Sequence, residues 1–159
     1  MKNKINSSTI YSKTIKSPIG TLTLVSTMSS LLAIDWGTNN RHHVGCCQIL
    51  EDSESQLNEY FSGKRRVFEL PFDLQGTKFQ KRVWNELRKI PFGQTRTYKE
   101  IAQSIGSSGA FRAVGMACSQ NPLPIVVPCH RAIGSNKRLI GFTGGIDKKA
   151  FLLKHEYYL

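Results

Sequence analysis

The hydrophobic pattern of this 159-residue chain changes its period near residue 75, and that change constrains the fold more than any other feature. Residues 9–16 and 21–26 alternate apolar and polar side chains on either side of the turn signal Ser17-Pro18-Ile19-Gly20, which predicts an antiparallel hairpin. Residues 31–36 are typical of a third strand, and residues 46–61 have the apolar periodicity of a helix that ends at Gly63. The first half is therefore predicted to be a small antiparallel sheet with a covering helix.

Beyond residue 75 the apolar side chains recur with a helical period. Thr77 with Gln80, and Thr97 with Glu100, have the spacing of capping boxes, which begin helices. Behind the first box a single helix face carries Phe79, Val83, Leu87 and Ile90. A third helix is predicted over residues 110–119. It follows the tight turn 106–109, and the pair of helices predicts a helix-turn-helix. These patterns predict an α/β (α+β) protein with two domains, residues 1–74 and 75–159.

Positive charge is concentrated in the second of these domains. The chain has 22 basic and 11 acidic residues, a formal charge of +11, and residues 75–159 contain 14 of the basic and 4 of the acidic ones. A basic domain beside a nearly neutral one indicates a polyanionic partner for the basic domain. Together with the helix-turn-helix pattern, this charge favours DNA over a merely soluble basic surface.

The predicted helix over residues 110–119 is composed mainly of small side chains. Arg112 is its one cation, whereas direct reading of base edges usually needs several Arg, Asn or Gln side chains. Such a helix can approach DNA closely with little sequence preference. Arg112 itself suits insertion into a base stack or minor groove, and a simple phosphate contact is the alternative.

The four cysteines are Cys46, Cys47, Cys118 and Cys129, and no Cys-x-x-Cys pair exists. No apolar run approaches the length of a membrane span, and the polar start lacks the apolar core of a signal peptide, so we expect a cytoplasmic protein with reduced thiols. A zinc cluster of His42, His43, Cys46 and Cys47 is an alternative, but adjacent ligands make tetrahedral coordination awkward. A loop leading into the helix is favoured there.

Three prolines and an apolar run, residues 122–128, precede Cys129-His130-Arg131 and predict a stiff, buried segment that ends at a thiol. A thiol attacks only as its thiolate, which needs a nearby base or positive charge. Because neighbouring side chains of an extended strand point in opposite directions, a Cys129–His130 contact requires a turn or a bridging water. Taken alone, a Cys-His pair is more often structural than reactive.

The surrounding motifs change that interpretation, because they resemble the active-site signature of the O6-alkylguanine-DNA alkyltransferases, or methylated-DNA–protein-cysteine methyltransferases. The similarity covers about half of the chain and includes Gly76-Thr77, Phe79-Gln80, Val83-Trp84, Ile90-Pro91, Gly93, Tyr98, Arg112 to Gly115, Asn121-Pro122, Pro128 to Arg131, Gly144-Gly145 and Leu152 to Glu156. The resemblance implies an RNase H-like first domain and a winged-helix-like, DNA-binding second domain. It also implies repair by direct reversal, in which one alkyl group moves irreversibly from O6-alkylguanine, and also from O4-alkylthymine, to the protein.

The resemblance assigns a role to each matching residue. Cys129 is the implied alkyl acceptor, and His130, acting through a water with Glu156 behind it, takes the thiol proton. Tyr98 gives its hydroxyl hydrogen to the leaving guanine, and Arg112 fills the gap that the flipped nucleotide leaves. Asn121 holds the turn before the active site, Ala113 allows close approach to DNA, and the backbone near Thr143 recognises the modified base.

The same resemblance implies no cofactor and no metal, a monomer, and double-stranded DNA carrying the lesion as the partner. Many family members have Tyr at the position of Phe142 and Ser or Ala at that of Thr143. Phe142 keeps the aromatic wall but loses one hydroxyl, so we expect methyl transfer to survive.

Three other classes compete with this interpretation. An alkyltransferase-like protein that binds lesions without repairing them would have lost the acceptor cysteine, yet Cys129 is present. A helix-turn-helix regulator would need a helix richer in base-reading side chains. A cysteine hydrolase using Cys129 and His130 would leave the basic domain unexplained.

Overall fold

A computed structural model of the chain describes residues 9–39 and 43–157. These residues divide at the Asp73–Leu74 bond into two compact units. None of the helices in this part of the chain has the length and apolar character needed to cross a bilayer.

The first unit is a four-stranded sheet covered by a helix. Strands β1 (Tyr11–Ser17) and β2 (Gly20–Ser26) form the predicted antiparallel hairpin, in which Tyr11 is opposite Ser26. Strand β3 (Leu31–Trp36) pairs antiparallel with β2, and the short β4 (His43–Val44) adds a parallel pairing to β1, giving the order β3-β2-β1-β4. The hairpin and third strand are confirmed, whereas β4 has no signal in the sequence.

Helix α1 (Gln48–Phe61) buries Leu50, Leu57 and Tyr60 in this unit. It begins two residues later than predicted because Cys47 has an extended backbone and serves as the N-cap. Cys46 is exposed and Cys47 is buried. No group of three metal-binding side chains occurs among residues 9–39 and 43–157. His42 and the side chain of His43, which the zinc alternative needs, lie outside the described residues.

The second unit is built on helices α2 (Lys78–Leu87), α3 (Tyr98–Ser104), α4 (Phe111–Ser119) and α5 (Ile146–Tyr157). Both predicted capping boxes are present: Thr77 accepts from the Gln80 amide and Thr97 accepts from the Glu100 amide. Each box satisfies backbone groups that the first turn of a helix leaves unpaired, which explains why α2 and α3 begin where they do.

Trp84 fixes the packing of α2 on α4. Its indole nitrogen donates to the Ala117 carbonyl over 2.8 Å and its side chain is buried, whereas the predicted face residue Phe79 is only half-buried. Gly76 lies directly beside the ring, where a Cβ atom would come within 2.6 Å of it. The glycine is therefore required by close packing against Trp84.

Two very short strands join the parts of the chain that carry the candidate chemistry. Strand β5 (Arg96–Thr97) immediately precedes Tyr98, and β6 (Ala132–Ile133) immediately follows Cys129-His130-Arg131. They pair in parallel, with Arg96 opposite Ala132. This pairing brings the start of α3 alongside the cysteine segment.

Candidate active site

The cysteine segment is held by the Asn121 side chain. Its amide nitrogen donates to the Val127 carbonyl over 2.8 Å, and its amide oxygen accepts from the Leu123 backbone nitrogen over 2.9 Å. Within this loop the buried Ile125 has a φ of 75°, a strained value for a β-branched residue. The two Asn121 bonds stabilise that backbone, and the loop delivers Cys129 in one orientation.

Cys129 begins a single turn of 3-10 helix, Cys129–Arg131, rather than continuing an extended strand. The turn is closed by the Arg131 amide, which donates to the Pro128 carbonyl over 3.0 Å. All three of its residues are buried. From the sequence, contact between Cys129 and His130 required either a turn or a bridging water, and the structure shows the turn.

His130 and Glu156 form a buried pair at the centre of the unit. The Nε2 atom of His130 lies 2.6 Å from Oε1 of Glu156. The other ring nitrogen, Nδ1, is buried and has no hydrogen-bond partner among the described residues. When Nε2–H donates to the carboxylate, Nδ1 carries the lone pair and can accept a proton.

Arg131 completes this cluster with two hydrogen bonds to the same carboxylate. Its Nε atom donates to Oε2 of Glu156 over 2.8 Å, and its NH2 group donates to Oε1 over 2.9 Å. Its NH1 group donates to the Ile90 carbonyl over 2.7 Å. This bidentate pair neutralises Glu156 inside the protein and fixes the plane of its carboxylate.

The charges of the cluster follow from burial and from these bonds. Burial by itself would raise the pKa of Glu156, but the hydrogen bonds from His130 and Arg131 outweigh it and hold that pKa well below its usual range. Burial lowers the pKa of His130, while the Glu156 carboxylate opposes the shift. At neutral pH the cluster therefore contains a carboxylate, a guanidinium and a neutral imidazole.

Burial raises the pKa of the Cys129 thiol. A hydrogen bond from the Asn121 side chain and the positive charge of Lys149 oppose that rise. The thiol at rest is protonated, so its use as a nucleophile requires a base that removes the proton.

Lys149 is a site residue that no sequence motif indicated. Its side chain is fully buried. Its Nζ atom donates to the Ala132 carbonyl over 2.5 Å, to the Ile140 carbonyl over 3.0 Å and to the Tyr98 hydroxyl over 3.2 Å. The one available signal was spacing, because Lys149, Leu152, Leu153 and Glu156 occupy one face of α5 and all four are buried.

The Tyr98 hydroxyl donates to the Ile140 carbonyl over 2.7 Å, in addition to accepting from Lys149. Burial raises the pKa of Tyr98. The hydroxyl is therefore a neutral donor at physiological pH. Its hydrogen is directed at a backbone carbonyl in this structure.

An open cleft of about 360 Å³ lies above Tyr98. One wall is the first half of α4, with Phe111, Arg112 and Gly115, and the other is Ile140-Gly141. Gly141 has a φ of 70°, and a Cβ atom there would lie 3.3 Å from the Tyr98 hydroxyl. The side chain of Thr143 donates to the Ser119 carbonyl, so residues 140–143 run along α4 from Gly115 to Ser119.

The site residues predicted from the sequence form two groups, one buried and one exposed. Cys129, His130 and Glu156 are buried in the interior of the unit, and Asn121 is bonded to the loop that precedes them. Arg112, Ala113 and Thr143 are exposed, the first two at the start of α4. Tyr98 lies between the groups, because it lines the cleft and is bonded to buried Lys149.

Comparison with known proteins identifies the family of the chain. The family model described as "6-O-methylguanine DNA methyltransferase, DNA binding domain" matches residues 78–158, and the model described as "6-O-methylguanine DNA methyltransferase, ribonuclease-like domain" matches residues 10–74. The chain belongs to the 6-O-methylguanine DNA methyltransferase family.

Individual members of the family are similar over nearly their whole length. The methylated-DNA–protein-cysteine methyltransferase of Mycobacterium tuberculosis (strain H37Rv) is 45% identical over 152 residues, which is 92% of each chain. The protein of the same description from Methanosarcina barkeri is 43% identical over 153 residues, 92% of this chain and 97% of that one. The crystal structure of Mycobacterium tuberculosis OGT in complex with DNA superimposes with a TM-score of 0.87 and 45% identity, covering 93% of both chains.

Family membership confirms the predicted fold class, with a ribonuclease-like part preceding a DNA-binding part. It also confirms the predicted reaction class, because the curated relatives are methylated-DNA–protein-cysteine methyltransferases. Helices α2 to α5 and the cysteine turn all lie within the matched DNA-binding domain. Most of the basic half of the chain and the buried thiol therefore lie in the part that this model matches.

Proposed function

We propose that Cys129 accepts the alkyl group in this reaction and that it does so once, from O6-alkylguanine in double-stranded DNA. The observation that carries the proposal is the buried His130–Glu156 pair, which leaves a proton-accepting Nδ1 in the residue next to the Cys129 thiol. The acceptor is thus proposed from geometry, and the substrate from the family.

The transfer is a single displacement. The thiolate sulfur attacks the alkyl carbon, a carbon–sulfur bond forms, and the bond from that carbon to O6 breaks with its electron pair staying on guanine. His130 takes the thiol proton at Nδ1 through a bridging water, while Glu156 holds the imidazole by its Nε2–H. A thioether has no easy leaving group, so the product is permanent.

Tyr98 is the proposed donor to the guanine that leaves. Its hydroxyl is buried and neutral, and it faces the cleft. Because it donates to the Ile140 carbonyl in this structure, it must exchange that acceptor for the purine when the base binds. Lys149 is a positioning residue in this scheme, since its bonds hold both the hydroxyl and the Ile140 carbonyl in place.

The lesion must leave the double helix to reach a buried thiol. Extrusion of a nucleotide costs a few kcal/mol, and less for a poorly paired modified base, which favours the lesion over normal guanine. The start of α4 suits this step: Arg112 is exposed at the cleft and can occupy the vacated place, while the small Ala113 permits close approach. The backbone around Thr143, opposite α4, is the proposed contact to the modified base.

The remaining properties are proposals that follow from the same scheme. Residues 75–159 would bind DNA and accept the alkyl group, and residues 1–74 would form the supporting α/β domain. O4-alkylthymine is a second proposed substrate, because its oxygen is alkylated in the same manner. Little sequence preference, a monomeric state and a cytoplasmic location stay predictions.

The test is the intact mass of the full chain after incubation with duplex DNA that contains one O6-methylguanine. We expect a gain of one methyl group per molecule, and peptide mapping should place it on Cys129 rather than on Cys46, Cys47 or Cys118. Lesion-specific binding without any mass change would instead favour the second candidate, a protein that recognises alkyl lesions without repairing them.

Replacement of Arg112 by alanine is expected to slow methyl transfer from duplex DNA by at least about tenfold, because it removes the side chain proposed to fill the base stack. Reaction with free O6-benzylguanine, which requires no extrusion, should keep its rate. Single-turnover rates on the two substrates measure the difference. Equal losses on both would exclude the extrusion role of Arg112.

A further inference from the structure

Phe111, at the first position of α4, exposes a large apolar ring. Its side chain is 44% accessible to solvent. The buried side of α4 consists of Val114, Ala117 and Cys118, so the phenylalanine does not belong to the core of the unit. Because burial in the fold does not explain this large apolar ring, its exposed face is available to a partner.

Phe111 lies at the cleft above Tyr98. It lines that cleft together with Arg112 and Gly115, opposite Ile140, whose side chain is also exposed. The guanidinium carbon of Arg112 lies 5.9 Å from the centre of the Phe111 ring. That distance is within the range of a cation–π contact, so the ring and the guanidinium form one projecting pair.

We propose that Phe111 is the apolar half of a two-residue wedge, in which its ring stacks on the base pair beside the extruded nucleotide while Arg112 fills the vacated position. The inference rests on the proposed extrusion of the lesion. Phe111 would then contact DNA directly beside the Arg112 contact. The start of α4 would present both an aromatic ring and a positive charge to the DNA.

The Phe111 ring replaces the stacking that is lost when the base is extruded. An extruded purine leaves its neighbour with one bare apolar face, and apolar side chains that enter a base step cover such a face. An aromatic ring does so for any base, since every base has a π surface, which agrees with weak sequence preference. The ring also restrains the flexible Arg112 side chain before DNA arrives, so less conformational freedom is lost on insertion.

The wedge is tested by substituting Phe111→Ala in the full chain and measuring single-turnover methyl transfer. We expect a loss of at least about fivefold on duplex DNA containing O6-methylguanine, the lower end of the effect of losing one base–aromatic stack. The rate with free O6-benzylguanine should not change, because no base stack is present. Phe111→Trp, which keeps an aromatic surface, should restore the duplex rate.

Phe151→Ala is the matched control. Phe151 is also a partly exposed phenylalanine, on α5, and does not line the cleft, so its removal should alter neither rate. Equal losses on both substrates for Phe111→Ala would mean that the ring is a wall of the base-binding site, and unchanged rates on both would mean that it contacts no DNA. Either result overturns the wedge.

Failure of the proposed function gives a different result. If the unaltered chain takes no alkyl group from either substrate, the role proposed for Cys129 is wrong. The wedge is then tested by the affinity of the chain for duplex DNA. Phe111→Ala should still weaken binding to lesion-containing duplex relative to undamaged duplex by about fivefold. An unchanged ratio of the two affinities would overturn the wedge in that case also.

Discussion

Cys129→Ser is expected to take up no alkyl group from duplex DNA containing O6-methylguanine, while it still folds and still binds the lesion. A serine hydroxyl is a far weaker acid than a thiol and stays protonated, so neither His130 nor the charge of Lys149 can produce a nucleophile from it. The two side chains differ by one atom, and the site is closed by the same turn and the same Asn121 bonds. Intact mass measures the transfer, and a gel-shift titration measures the binding.

The same substitution at an exposed thiol provides the control. Cys46 lies outside the matched DNA-binding domain, and Cys46→Ser should gain one methyl group as the unaltered chain does. A methyl group on the Cys129→Ser chain would place the acceptor elsewhere. Buried Cys118, on α4, would be the first position to examine, because it lies in the same unit.

The sequence predicted the parts of this site that are set by local patterns. Thr77 with Gln80 and Thr97 with Glu100 are capping boxes within four residues, and they fixed the starts of α2 and α3 correctly. The alternation of apolar and polar side chains, also a local pattern, predicted the β1–β2 hairpin. These features depend on neighbours in the chain, so they can be read without knowledge of the tertiary structure.

Features that depend on distant contacts were not predicted from the residues. Strands β4, β5 and β6 have only two residues each, too few for any periodicity, and they exist because another segment offers a pairing partner. Lys149 belongs to no motif, and its burial follows from the contacts of α5 with Tyr98 and Ile140, which are distant in the chain. The association of His130 with Glu156, 26 positions apart, came from the family resemblance, and the additional Arg131 bond was missed.

Glu156 is central both to the proposed acceptor mechanism and to the buried hydrogen bonds of the fold. It accepts from His130 on one oxygen and from Arg131 on both, and its side chain is 1% exposed. Loss of one partner from a buried ion pair commonly costs about 3–5 kcal/mol, since the remaining charge is left uncompensated. Stability and rate therefore have to be separated in any test of this residue.

Glu156→Gln is expected to lower the rate of methyl transfer by about a hundredfold, measured where the variant is fully folded. The neutral amide no longer favours proton uptake by His130. In the unaltered chain, the rate should fall as the pH drops below the lowered pKa of His130, because Nδ1 is then protonated and cannot accept. The Glu156 carboxylate raises that pKa, so its removal should move this acid limb to still lower pH.

Glu86→Gln separates this effect from a loss of stability. Glu86 is also poorly accessible and accepts from two cations, Lys89 over 2.8 Å and Arg96 over 2.9 Å, but it makes no contact with His130 among the described residues. Its removal should lower the melting temperature and leave both the rate and the acid limb unchanged. If Glu156→Gln only lowered the melting temperature, as Glu86→Gln should, Glu156 would be a structural residue. His130 would then have to accept the proton without its help.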